Sequence, residues 1–84
     1  MIEEFPKLKG LQVALSCADY NTGHVLDVNL ELAISPMQRV FTIFNHVVEA
    51  KEKAIAIVKS NKNIECYIHG ANAVLISYID QTHI

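Results

Sequence analysis

Two stretches near the start of the chain alternate apolar with polar or small residues, and each alternation predicts a β-strand. In residues 11–18 the odd positions are apolar, and in residues 26–34 the even positions are all aliphatic. A period of two is typical of a strand that buries one face. An Asn and a Gly in the intervening residues 19–24 tolerate the backbone of a tight turn. We therefore predict an antiparallel hairpin over residues 11–34.

A helix start is predicted directly after this hairpin. Ser35 is suited to the N-cap, Pro36 to the first helical position, and Gln38 completes a capping box with Ser35. Apolar residues recur at helical spacing from there, and Lys59 suits the negative end of the helix dipole. The pattern predicts one long helix over residues 36–60.

A second strand pair is predicted after the helix, over residues 64–80. Apolar and polar residues alternate in residues 64–69, a turn is expected at residues 69–72, and residues 74–79 are apolar and β-branched without a clear facing. Residues 1–10 show no period and form an N-terminal arm, in which Ile2 and Phe5 are expected to pack on the body.

The predicted fold is a single α+β domain over residues 1–84, with elements in the order ββαββ. Its antiparallel sheet packs on the long helix. The apolar residues of that helix spread over roughly 200° of its surface, about twice the stripe that packing on one side requires. They are Met37, Val40, Phe41, Ile43, Phe44, Val47, Val48, Ala50, Ala54, Ile55, Ile57 and Val58. One sheet cannot cover this arc, so either the helix is sandwiched within the monomer or part of it is an interface. Four short strands leave little to make a second layer, and we therefore expect a homo-oligomer, most simply a twofold dimer, to complete the fold.

Four apolar residues of the helix are the candidate interface residues: Phe41, Phe44, Val48 and Ile55. Lys51 falls near the middle of the same arc. It is the candidate ligand-binding residue, since a desolvated lysine holds anions. The alternative is that its side chain reaches the edge of the arc or pairs with a carboxylate.

Composition and charge exclude several classes of function. The chain is 51% apolar and 19% charged, with a net charge of −2, so neither a disordered chain nor a surface for duplex nucleic acid is expected. No apolar run reaches the ~20 residues of a membrane span, and the acidic N-terminus does not look like a targeting signal. Cys17 and Cys66 are expected to be buried free thiols rather than a disulfide. A cytoplasmic protein is predicted.

Candidate chemistry is confined to the polar side of the predicted sheet. That side would display Gln12, Ser16, Asp27, Asn29, Glu31, Glu65, Tyr67 and His69. Carboxylates beside a histidine suit acid–base or metal chemistry, whereas the alternative is an ordinary solvated face. The spacing of histidines, cysteines, serines and glycines matches no metal, nucleophile or phosphate motif. No catalytic residue, metal ligand or cofactor is therefore predicted.

Three hypotheses of function follow. The first is a small non-enzymatic module that binds another protein, such as a regulatory, accessory or phage-type inhibitory protein, with Tyr20 and Tyr67 as further contact residues. The second is a homo-oligomer that binds a small anionic ligand or nucleotide near Lys51, or a ligand over the sheet. The third is a small enzyme that uses the acidic and histidine residues of the sheet face, namely Asp27, Glu31, Glu65 and His69.

Overall fold

The computed structural model describes residues 3–84 and confirms an α+β fold, in which one helix packs against a five-stranded antiparallel sheet. The strands are β1 (Val13–Asp19), β2 (Val25–Leu26), β3 (Thr42–Phe44), β4 (Ile64–His69) and β5 (Leu75–Ile79), and the helix is α1 (Val47–Ser60). The sheet runs β2-β1-β4-β5, and β3 also pairs with β1. Across residues 3–84, no helix has the length and apolar character needed to cross a bilayer.

The two central strands, β1 and β4, behave as their alternation predicts. Ser16 lies opposite Tyr67, and Cys17 lies opposite Cys66. Since successive side chains point to opposite faces, each strand has one face on the helix and one face away from it. The core beneath α1 consists of Val13, Leu15, Cys17, Leu26, Ala50, Ala54, Val58, Ile64, Cys66, Ile68 and Ile79. Both cysteines are buried free thiols, as predicted.

The predicted strand over residues 26–34 is wrong beyond its first residue. The hairpin turn forms, and Leu26 lies opposite Cys17, but the chain then turns, and only Leu32 returns to make an isolated bridge with Leu26. The Asp27 carboxylate accepts the backbone N–H groups of Asn29 at 2.8 Å and Glu31 at 3.1 Å, and Leu30 has a φ of 64°. Aspartate side chains that bond the following backbone favour turns over ladder pairing, so the alternation in this stretch does not make a strand.

The predicted helix over residues 36–60 begins eleven residues later, at Val47, and is 14 residues long. One capping-box contact is nevertheless made, since Gln38 Oε1 accepts from the Ser35 N–H at 2.9 Å, while Ser35 Oγ accepts from the Met37 N–H at 3.2 Å rather than from Gln38. These two hydrogen bonds close one isolated turn. The β-branched and aromatic residues that follow include β3, which pairs with β1. The element order is therefore βββαββ.

The late start of α1 removes the broad apolar arc. Phe41 and Phe44 are not helical, and the buried residues of α1 are Ala50, Ala54 and Val58. This spacing of four places them in one narrow stripe. The width of the helix therefore no longer argues for a second subunit, and oligomerisation stays a prediction.

The structure shows which residues of the final strand, β5, face the helix, a point that its sequence leaves open. Ile79 is buried opposite Cys66 on the helix side, and Tyr78 lies opposite Tyr67 on the other face. A register shift next to His69 makes a bulge in the pairing. The open face of the sheet therefore carries two adjacent tyrosines.

Candidate ligand-binding groove

A groove with a volume of about 410 Å³ lies on the face of the sheet away from α1. Its floor comes from alternate residues of the two central strands, chiefly Ser16, Tyr67 and His69. Its wall comes from Phe5 of the N-terminal arm and from Val40 and Phe41, which precede β3. We call this feature the aromatic groove. Four separate parts of the chain therefore meet in it.

One carboxylate joins the two parts of the wall. Glu3 accepts the backbone N–H of Val40 at 2.8 Å and that of Phe41 at 3.1 Å. The bond from Val40 is the main reason that the pKa of Glu3 is lowered. Phe5 then packs edge-on against Phe41, with ring centroids 5.2 Å apart. The prediction that Phe5 packs on the body agrees with this contact, whereas Ile2 lies outside the described residues.

His69 lines the groove with a ring nitrogen that has no partner. Its Nδ1 is buried and makes no hydrogen bond within the described residues 3–84. The ring lies between Phe5, at 5.9 Å and edge-on, and Tyr67, at 6.3 Å and nearly parallel. Leaving a buried polar atom unpaired costs free energy, so aromatic packing rather than hydrogen bonding holds this ring in place.

Tyr67 is oriented by a buried carboxylate next to the groove. Glu65 is only 9% exposed, and it accepts the hydroxyl of Tyr67 at 2.8 Å and that of Tyr78 at 2.6 Å. Burial first, and then the bond to Glu65, raise the pKa of Tyr67 to about 12. The same causes raise the pKa of Tyr78. Both phenols therefore stay protonated donors at neutral pH, and Glu65 fixes the ring at the groove floor.

The acid–base set predicted for the sheet face is divided among separate networks. Asp27 accepts a side-chain bond from Gln38 at 2.7 Å within the loop, and this bond is the main reason that its pKa is lowered. Glu31 is exposed on the same loop, while Glu65 is held by the two tyrosines. Of the residues that the structure describes, no three His, Cys, Asp or Glu side chains are grouped to hold a metal ion.

Two predicted interface residues, Phe41 and Tyr67, meet in the aromatic groove. Because the sequence pattern assigns Phe41 to the helix, it does not predict that Phe41 lies near Tyr67. Phe5 and Val40 were missed as groove residues. The only signal in the sequence is that these residues are apolar, and apolar character alone does not show where they pack.

The remaining predicted site residues lie elsewhere. Lys51, Val48 and Ile55 are exposed on α1, on the opposite side of the sheet from the groove. Phe44 packs partly buried against the core. Tyr20 lies in the hairpin turn, where its backbone N–H donates to the Asn63 carbonyl at 2.7 Å. Ligand binding at Lys51 and contacts at Tyr20 therefore stay predictions.

Comparison with known proteins gives no match to a family model, to a curated protein or to a solved structure.

Proposed function

We propose that the protein is a non-enzymatic binding protein that holds a small, uncharged aromatic or aliphatic molecule in the aromatic groove. The observation that carries the proposal is the combination of a cavity of about 410 Å³ with an aromatic wall and floor. Ligand pockets are commonly of this size, and they are mostly apolar with a few polar groups that orient the ligand.

The charge of the lining sets the class of ligand. The described residues that line the groove include no Lys, Arg, Asp or Glu, and the nearby Glu65 carboxylate is taken up by the hydroxyls of Tyr67 and Tyr78. Their polar side chains are Ser16, Tyr67 and His69, which offer hydrogen bonds but no fixed countercharge. An anion or a nucleotide would lose its hydration there without an ionic partner. This argument favours an uncharged ligand over the anionic ligand predicted for Lys51, which lies across the sheet.

Nuclear magnetic resonance with uncharged fragments tests the proposal. Indole and cyclohexanol, each titrated into ¹⁵N-labelled protein, are expected to shift amide signals of β1 and β4 around Ser16 and Tyr67. Phe41→Ala should weaken the binding about tenfold, because it removes part of the aromatic wall. Val48→Ala on the far side of the sheet should leave the binding unchanged. Shifts confined to α1, or no shift with any fragment, would contradict the proposal.

Protein binding is the second candidate function, and a separate surface favours it. Leu11, Val48 and Ile76 are 75%, 64% and 49% exposed, and they border an apolar groove of about 510 Å³. We call them the apolar patch. Contiguous exposed apolar surface is typical of contact sites.

A comparison of captured proteins tests this second candidate. Tagged protein is incubated with a lysate, in parallel with Val48→Glu and with Ser60→Glu, which adds the same charge at the far end of α1. A protein retained by the wild type and by Ser60→Glu, but lost with Val48→Glu, would support contact through the apolar patch. Equal capture by all three chains would count against it.

A further inference from the structure

The two cysteines face each other across the centre of the sheet. Cys17 in β1 and Cys66 in β4 are register partners, and their Sγ atoms lie 3.5 Å apart beneath α1. They are the only cysteines in the chain. Cys17 also belongs to the lining of the aromatic groove, but the binding function proposed above rests on the aromatic side chains and uses neither thiol.

We propose that Cys17 and Cys66 form an oxidisable pair, which closes into a disulfide when the folded protein meets hydrogen peroxide. The disulfide would tie the two central strands together. The proposal rests on the placement of the thiols and does not depend on the ligand of the aromatic groove.

The backbone already suits the bond. Directly opposite residues of antiparallel strands have Cα atoms roughly 4.5–5.5 Å apart, a separation within the range that disulfides span. The sulfur atoms have to move from 3.5 Å to the roughly 2.0 Å of a disulfide. Rotation of the two side chains supplies such a movement, and the pairing of β1 with β4 does not have to change.

The two thiols differ in exposure and in pKa, and these differences indicate which of them reacts first. Cys17 keeps 7% of its surface exposed, whereas Cys66 has 0%, so a small oxidant reaches Cys17 first. The hydrogen bond from Cys66 and the positive charge of Lys53 lower the pKa of Cys17. The same bond and burial raise the pKa of Cys66. Cys17 is therefore the better source of a thiolate, which is the reactive form.

The reaction balances with hydrogen peroxide as the oxidant. The Cys17 thiolate attacks one peroxide oxygen and the O–O bond breaks. This step leaves a sulfenic acid on Cys17 and a hydroxide that takes up the thiol proton as water. The Cys66 sulfur then attacks the Cys17 sulfur, the S–S bond forms and the S–O bond breaks. The departing hydroxide takes the Cys66 proton as a second water. Two electrons pass from the thiols to the peroxide.

Closing the pair should raise the thermal stability of the folded chain. The two residues are separated by 49 positions, and a crosslink across such a loop restricts the unfolded chain. The expected rise in the unfolding midpoint is about 10 °C or more. Dithiothreitol should reverse it.

Peroxide treatment of the reduced folded protein tests the inference. Intact-mass spectrometry should show the loss of two hydrogen atoms from the monomer, and thiol titration of the unfolded product should fall from two thiols to none. The melting temperature should rise, and dithiothreitol should restore all three readouts. Cys17→Ser and Cys66→Ser, with folding checked by circular dichroism, should each form no disulfide within the chain and gain no stability.

Three results would overturn the inference, and each can be read on the wild-type protein without any variant. They are addition of oxygen atoms without loss of hydrogen, a disulfide between two chains, and no change in mass under conditions that oxidise the urea-unfolded chain.

Discussion

Single carboxylates hold short stretches of this structure in place. Asp27, Glu65 and Asp80 are all buried, and each accepts more than one hydrogen bond. Asp27 shapes the loop after β2, and Glu65 positions two tyrosines. Asp80 accepts from the Thr82 N–H at 2.8 Å and from the Thr82 hydroxyl at 2.6 Å, which closes the C-terminal turn. Buried charges are tolerated when they are bonded in this way.

The pH dependence of stability should report on Asp80. The bonds from Thr82 lower its pKa from 3.8 to about 2. The unfolded chain therefore binds this proton more tightly, so the stability from Asp80 is complete above about pH 4 and is lost as the pH falls to about 2. We expect the melting temperature to fall more steeply over this interval in the wild type than in Asp80→Asn.

The melting temperatures of the wild type and of Asp80→Asn are compared by circular dichroism between pH 7 and pH 2. Glu3 and Asp27 also have lowered pKa values, so both chains should lose some stability in acid, and the difference between them measures Asp80. Glu52→Gln, at an exposed position on α1, is the control and should follow the wild type. Parallel curves for the wild type and Asp80→Asn down to pH 2 would contradict the prediction.

At the scale of elements, the close approach of α1 to the sheet depends on small side chains. Ala50 and Ala54 are both completely buried, and Cys66 Sγ lies 3.9 Å from the Ala54 carbonyl oxygen. An alanine stripe lets a helix backbone approach a sheet more closely than larger residues would. The packing of α1 on β4 should therefore be intolerant of added volume.

Ala54→Leu should destabilise the protein by about 1–3 kcal/mol, because added methylenes in a packed core force side chains and backbone apart. Ala56→Leu makes the same change at an exposed position on the same helix and should stay within about 0.5 kcal/mol of the wild type. Urea unfolding of both variants measures the difference. Equal urea midpoints for the two variants would show that the contact between α1 and the sheet can accommodate a larger side chain at Ala54.

The local sequence pattern predicted those elements whose structure agrees with their tertiary pairing. In β4, alternation and a following turn agree with the pairing to β1, so residues 64–69 were placed correctly. Residues 36–44 were not, because capping-box hydrogen bonds suit an isolated turn as well as a helix. Pairing between β3 and β1 decides their structure, and a long-range partner of this kind leaves no periodic signal in a short segment.

The aromatic groove was predicted only in part, for a related reason. Alternation along β1 and β4 places Ser16, Tyr67 and His69 on one face. The wall depends on Glu3, which ties the N-terminal arm to the backbone at Val40. That contact joins segments far apart in the chain, so the cavity follows from tertiary structure rather than from any one pattern.

For the molecule taken together, apolar surface remains uncovered beside α1 and along the edge strand β5. The apolar patch of Leu11, Val48 and Ile76 lies beside the first turn of α1. β5 ends the described strand order, and both its first residue, Leu75, and the preceding Val74 are exposed. An edge strand with exposed aliphatic residues is a favourable place for another chain to pair. This surface supports the expected oligomer on grounds different from the width of the helix.

A twofold dimer through the apolar patch is the last prediction. Sedimentation equilibrium of the wild type should give twice the chain mass of 9.4 kDa, because a second copy would bury the patch on both subunits at once. Val48→Glu should sediment as a monomer, since an unpaired charge in a dimer interface is costly. Ser60→Glu adds the same charge at the other end of α1 and should remain dimeric. A wild type that stays monomeric at every concentration would make the dimer prediction wrong. The exposed patch would then favour contact with a different protein, which the capture experiment with the same two variants would detect.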